Sequence, residues 1–190
     1  MLLNPGATFP LAVRLRTLEG APIGEVFSFL SGLYFCGKLA YAQRFMVAGG
    51  SVPPVHIVTA DQGLVSPETI VTIGDIARFA DVDIGAGDPR YSGPLRRDAE
   101  RLHAQLSDQC EVVLLGSIAT GKYADTFLSV FQTRLVFPAA FVGRGDMSRG
   151  GLLLRHVRDG VELDYVPVAG TVRTGRRPAK LASSRDDVVE

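Results

Sequence analysis

The run Val112-Val113-Leu114-Leu115-Gly116-Ser117-Ile118-Ala119-Thr120-Gly121-Lys122 decides how the rest of the chain is read. Its first four residues are continuously apolar, the pattern of a strand buried on both faces. Glycine and serine close the run, and a helical stretch follows from about Tyr123 to Phe131. A buried strand turning straight into a helix is the unit of a parallel sheet with helices on its faces.

Working outward, Val55-His56-Ile57-Val58-Thr59-Ala60 and Leu135-Val136-Phe137 carry the same unbroken apolar or β-branched character and are expected as interior strands of that sheet. Residues 9–15 read as a first strand and 162–168 as a last one. Between them, helices are expected from Pro22, with Val26, Phe27, Phe29 and Leu30 on one face and an interruption at Ser31-Gly32. Others are expected over 38–48, 74–80, from Pro94 with Leu95, Ala99, Leu102 and Leu106 aligned, and over 147–158. This alternation predicts an α/β fold: a single layered domain over residues 1–170, with a mostly parallel central sheet flanked by helices. Residues 171–190 change character, from Arg173, Arg176, Arg177 and Lys180 to Asp186, Asp187 and Glu190. They read as a basic arm followed by a flexible acidic end.

Composition narrows the function classes. The chain has 190 residues, 46% hydrophobic and 21% charged, with 20 basic residues balancing 20 acidic ones. That is enough apolar chain for a core, and the neutral balance provides no overall pull onto nucleic acid or a membrane. No window approaches the roughly 18 apolar residues of a membrane span. The start, MLLNPGATFP, has no basic leader, and Cys36 and Cys110 are too few for a disulfide scaffold. The expected setting is the cytoplasm. His56, His103 and His156 are far apart and no Cys or His pair has zinc spacing, so neither metal nor cofactor is indicated.

Three loops carry the chemistry. Gly116, Ser117, Thr120, Gly121 and Lys122 fit G-x-x-x-x-G-K after a buried strand, the setting of a phosphate cradle. Tyr123 stands where a magnesium-binding Ser or Thr would be, so nucleoside-triphosphate hydrolysis is not indicated. Two readings remain open: an anion cradle with Lys122 supplying charge, or a strand-to-helix turn capped by Thr120. In Gly143-Arg144-Gly145-Asp146-Met147-Ser148-Arg149-Gly150-Gly151, four glycines surround two guanidinium groups, Arg144 and Arg149, suited to phosphate or carboxylate. Asp146 is there either an acid or base between two cations or the cap of the following helix. Thr59-Ala60-Asp61-Gln62-Gly63 is either a turn closed by Asp61 or a loop presenting Asp61 as a base. Tyr34 and Lys38 add a hydroxyl and a cation, or else a core tyrosine and a solvated lysine.

The segments Leu30-Ser31-Gly32-Leu33-Tyr34-Phe35-Cys36-Gly37-Lys38-Leu39-Ala40-Tyr41-Ala42, Val58-Thr59-Ala60-Asp61-Gln62-Gly63-Leu64-Val65 and Val113-Leu114-Leu115-Gly116-Ser117 resemble a group of uncharacterised bacterial α/β proteins. That group is distantly similar to YaaA-like peroxide-stress proteins and to the uracil-DNA-glycosylase-like domains of tRNA-modifying enzymes. The resemblance spans residues 30–151 and implies an association with nucleotides or nucleic acid. The His-Ser-Pro loop of the glycosylases has no counterpart here. The combined expectation is an enzyme-like domain that binds a phosphate-bearing ligand, a nucleotide or modified nucleoside. Asp146 or Asp61 would act in hydrolysis or transfer at a glycosidic or phosphate ester bond. The alternative is a non-catalytic nucleic-acid-binding adaptor that uses the basic C-terminal arm.

Overall fold

The computed structural model describes residues 1–47, 52–84, 87–118, 121–172, 175, 176 and 178, with only the backbone at Lys122. In chain order the elements are α1 (Pro10–Leu15), β1 (Ala21–Pro22), α2 (Ile23–Phe45), β2 (Ile57–Val58), β3 (Leu64–Val65), β4 (Ile70–Val71), α3 (Ile73–Asp81) and α4 (Pro89–Gln105). There follow β5 (Val112–Val113), α5 (Gly121–Phe131), β6 (Leu135–Pro138), α6 (Asp146–Asp159) and β7 (Tyr165–Pro167), with short 3₁₀ turns on either side of β6.

The expected α/β architecture with one mostly parallel central sheet is not what forms. The fold is mostly helical, 51% helix, with three small and mostly antiparallel sheets. β1 pairs with β4 and β2 with β3, both antiparallel. β6 lies between β5, to which it is parallel, and β7, to which it is antiparallel. The apolar run at 55–60 therefore does not join the sheet of 112–115 and 135–137. Its chain folds straight back instead: the Thr59 N–H and hydroxyl both bond the Gly63 carbonyl at 2.9 Å, and Gly63 takes φ +70°, closing a hairpin onto β3. A short apolar run reports burial, not partner, and most of these strands are two residues long. Among the described strands, only β6 has the fully buried pattern expected of a central strand.

Residues 9–15 form a helix, not a strand. Pro10 opens it, and Leu11, Ala12 and Leu15 are buried while Val13 is exposed, a helical stripe and not a two-residue alternation. α4 starts one turn earlier than Pro94 suggests, because Asp88 accepts the Arg90 N–H at 2.9 Å and Pro89 occupies the first helical position.

Two groups of buried side chains hold the fold. One gathers Leu15, Ile23, Val26, Val71 and Ile76; the larger gathers Tyr41, Leu95, Phe131, Phe137, Phe141 and Leu153. α2 serves both, with Ile23 and Val26 in the first and Tyr41 in the second. Between them it breaks at Gly32, whose φ of 58° and ψ of −142° only glycine adopts readily, and residues 29–33 are exposed there.

Candidate functional site

The candidate cluster sits where α2, α5, α6 and the loop after β5 meet. α2 and α6 can approach closely because glycines face each other: a Cβ on Gly37 would stand 2.8 Å from the Gly150 carbonyl oxygen. The contact brings Tyr34 and Lys38, one turn apart on α2, against Asp146 and Arg149 in the first turn of α6.

Arg149 is 7% exposed. Its Nε and Nη2 donate to the Phe141 carbonyl at 3.3 and 3.2 Å, and its guanidinium lies 5.4 Å from the Phe141 ring centre. Its Nη1 faces Asp146 Oδ1 at 3.5 Å, but that carboxylate is 67% exposed and so only loosely neutralises a buried cation. The Tyr34 hydroxyl donates to the Leu115 carbonyl at 3.1 Å. Burial pushes it up to about 12, against the pull of the Arg149 charge and an Arg149 hydrogen bond. Lys38 Nζ lies 4.5 Å from the Tyr34 ring centre and 5.2 Å from that of Phe35. Burial lowers its pKa, while the Asp146 charge acts in the opposite direction.

In the loop after β5, Tyr123 folds back over Gly116. A Cβ on Gly116 would collide with the Tyr123 ring, and the Ser117 N–H donates to the Tyr123 hydroxyl. The amide that a phosphate would take in a cradle is thus already bonded. The Tyr123 hydroxyl, raised in pKa first by burial, also feels the charges of Arg149 and Asp146, which brings this loop to the same cluster. Tyr123 is the member that sequence reading missed. Its signal in the sequence is a large aromatic with a polar tip six residues beyond Ser117.

Among the expected site residues, Tyr34, Lys38, Asp146 and Arg149 converge, and Gly116 and Ser117 join them through Tyr123. Gly121 opens α5 and faces the Asp125 carboxylate. Thr120 and the Lys122 side chain lie outside the described residues, as do Arg173, Arg177, Lys180 and residues 181–190 of the expected arm. Part of that arm is placed: Gly143, at φ +73°, has no room for a Cβ because the Arg176 backbone lies against it. Arg144 turns back on its own segment, donating from Nε to the Ala140 carbonyl at 2.9 Å and from Nη1 to Ser148 Oγ at 3.3 Å.

Asp61 is engaged elsewhere. It pairs with Arg78 Nε at 3.0 Å, and Arg78 also reaches Asp75 at 2.9 Å. Asp61 and Arg78 border an open cleft of about 420 Å³ with Asp81, Arg90 and Pro94. Among the described residues no group of three or more His, Cys, Asp or Glu could hold a metal ion, and no helix is long and apolar enough to cross a membrane.

No family model matches the chain, and comparison with curated proteins and with solved structures likewise returns no match.

Proposed function

We propose that this protein binds a phosphate-bearing ligand, a nucleotide or modified nucleoside, at the meeting point of α2, α5 and α6. The observation that supports this most is the pairing of a nine-tenths buried Arg149 with a carboxylate that is two-thirds exposed. A buried guanidinium is costly unless neutralised, and Asp146 at 3.5 Å does this poorly. Lys38, its Nζ 4.5 Å from the Tyr34 ring centre, adds a second cation that feels the Asp146 charge. Two cations against one acid leave room for an anion, and a guanidinium edge is well matched to phosphate oxygens. Asp146 is the group positioned to orient a ligand hydroxyl or accept a proton in hydrolysis or transfer at a glycosidic or phosphate ester bond.

Calorimetric titration of inorganic phosphate and of uridine 5′-monophosphate tests the reading. Arg149→Met should weaken both by about 1.5–3 kcal/mol, the scale of a charge-assisted hydrogen bond. Asp61→Asn, which alters the carboxylate paired with Arg78, should leave both unchanged. Binding retained in Arg149→Met, or lost in Asp61→Asn with the fold intact, overturns the assignment.

A further inference from the structure

We infer that His56 makes the seat of the β2–β3 hairpin on α4 a pH-sensitive latch, closed while its imidazole is neutral and released when the ring takes up a proton. The ring sits just ahead of β2, and both of its nitrogens are withdrawn from solvent without a hydrogen-bond partner. A neutral imidazole already leaves one N–H unpaired there, and an imidazolium leaves two together with a buried charge. Ile57 and Val65 pack into the first core, while Val58 and Leu64 pack against the larger one, to which α4 contributes Leu95 and Ala99. His56, two residues ahead of Val58, shares the face of Val58. From α4 the Asp98 carboxylate acts on the ring, and from its own segment the Pro53 carbonyl favours a proton on it without completing a bond. Burial outweighs both and lowers the pKa. Asp98 is moreover engaged already: its Oδ2 accepts the Leu64 N–H at 3.1 Å and its Oδ1 accepts from Arg97 Nε at 2.9 Å.

The hairpin is the element that gives way. Its two strands are two residues each, a ladder too short to stand by itself, so it depends on its seat. Two contacts tie it to α4: the Leu64 bond to Asp98, and Gly63, where a Cβ would run into Asp98 Oδ2 and the Pro94 carbonyl. At its tip, Asp61 pairs with Arg78 and Gln62 Nε2 donates to Asp75 at 3.4 Å, both on α3. Release from α4 therefore also loosens the wall that Asp61 gives to the cleft between the hairpin, α3 and α4. The sign follows from the two states of the ring. In the open hairpin it takes up a proton near pH 6.5, and in the closed one only at lower pH, so opening becomes easier as pH falls below about 6.5. The other histidines are placed elsewhere, His103 against the Phe131 ring and His156 on the Val161 carbonyl.

The test uses the full chain and reads amide hydrogen exchange at about pH 7 and about pH 5.5, corrected for intrinsic rates. Opening at Leu64 and Thr59, whose N–H groups bond Asp98 and the Gly63 carbonyl, should rise by up to about tenfold at the lower pH. Val168, whose N–H bonds the Leu135 carbonyl in the other sheet, should keep its protection. The His56 ring, followed by NMR in the wild type, should titrate below about 6.5. His56→Phe should remove the response of both hairpin amides, and His56→Gln, which does not titrate either, serves if the phenylalanine variant fails to fold. A response retained in these variants would assign it to Asp98, Asp61 or Asp75. An equal response at Val168 would mean that the whole fold opens. A ring that titrates at or above about 6.5 would mean that the imidazolium is held by Asp98. Any of these results, or opening that does not change with pH, overturns the latch.

Discussion

Gly37 and Gly150 meet backbone to backbone, and the crossing of α2 and α6 depends on the absence of both side chains. A Cβ on Gly150 would stand 2.8 Å from Tyr34 Cα and 2.9 Å from the Leu33 carbonyl oxygen, positions fixed by backbone and not by movable side chains. Alanine is the better helix former by about 1 kcal/mol, so an unconstrained substitution would stabilise. Here the helices must part, at a cost of about 1–3 kcal/mol, and Gly150→Ala is expected to lower stability in urea denaturation. Gly74→Ala in α3 meets only Thr72 Oγ1 at 3.7 Å and should stabilise by about 0.5 kcal/mol. The same sign for both substitutions would refute the close crossing.

Tyr123 contributes two separable things, a ring over Gly116 and an acceptor for the Ser117 N–H. Tyr123→Phe keeps the ring and strands the amide, which should cost about 1–2 kcal/mol. Gly116→Ala should cost more, because the new methyl occupies the space of the ring itself. Amide hydrogen exchange reads the bond directly. Ser117 should exchange faster in Tyr123→Phe, and an unchanged rate would show that the amide has another partner.

Most elements could be read from local pattern, because the helices over 74–80, 123–131 and 147–158 bury one stripe each and end at glycine or at a change of apolar period. The interruption at Ser31-Gly32 was visible too, although α2 continues through it as a broken helix. What could not be read was which strands meet. The runs at 57–58 and 112–113 look alike, yet one closes a hairpin through Thr59 and Gly63 while the other pairs with β6. Residues 9–15 mislead because seven apolar-rich residues satisfy a strand or a helical turn equally well until burial separates Val13 from Leu15. For the candidate site, the sequence singled out Tyr34, Lys38, Asp146 and Arg149 separately. Their convergence depends on contacts such as that between Tyr34 and Leu115, 81 residues apart, which no local pattern encodes.

Asp75 links stability to pH. Burial pushes its carboxyl up, but the Thr72 hydroxyl and N–H, both at 2.7 Å, and Arg78 outweigh this and hold it below the usual aspartate range. The unfolded chain therefore takes up this proton at a higher pH than the native one. The stabilisation is complete above the unfolded value, near 3.9, and disappears as pH falls through the native one. Asp75→Asn should cost about 0.5–2 kcal/mol at neutral pH, the worth of a helix cap. The gap between variant and wild type should close below about pH 4. Asp88 and Asp159 are held low as well, but both are present in each protein and cancel in the difference. A gap that persists to low pH would mean that Asp75 acts through packing and not through charge.

β7 and the residues just before it are pinned to α2 by a directed relay of hydroxyls. The Leu163 N–H donates to Tyr41 at 2.7 Å, the Tyr41 and Tyr165 hydroxyls are 2.8 Å apart, and Tyr165 donates to Glu162 Oε1 at 2.7 Å. Since the one Tyr165 proton goes to Glu162, Tyr41 must donate to Tyr165, and the relay runs from the Leu163 amide to the Glu162 carboxylate. Burial raises the Tyr165 hydroxyl first, and its bond to Glu162 and the Glu162 charge raise it further. Tyr41→Phe leaves the Leu163 amide, in a buried residue, without its acceptor and should cost about 1–3 kcal/mol. Tyr165→Phe leaves the exposed Glu162 to water but strands the proton of the buried Tyr41, and should also cost about 1–3 kcal/mol. In a double-mutant cycle the two should couple by about 0.5–3 kcal/mol. Glu162→Gln supplies an independent readout: in ultraviolet titration the Tyr165 phenol should ionise at lower pH once the neighbouring negative charge is gone. Independent, additive effects of the two phenylalanine variants, with no change in Tyr165 ionisation in Glu162→Gln, would show that the hydroxyls do not act as a chain.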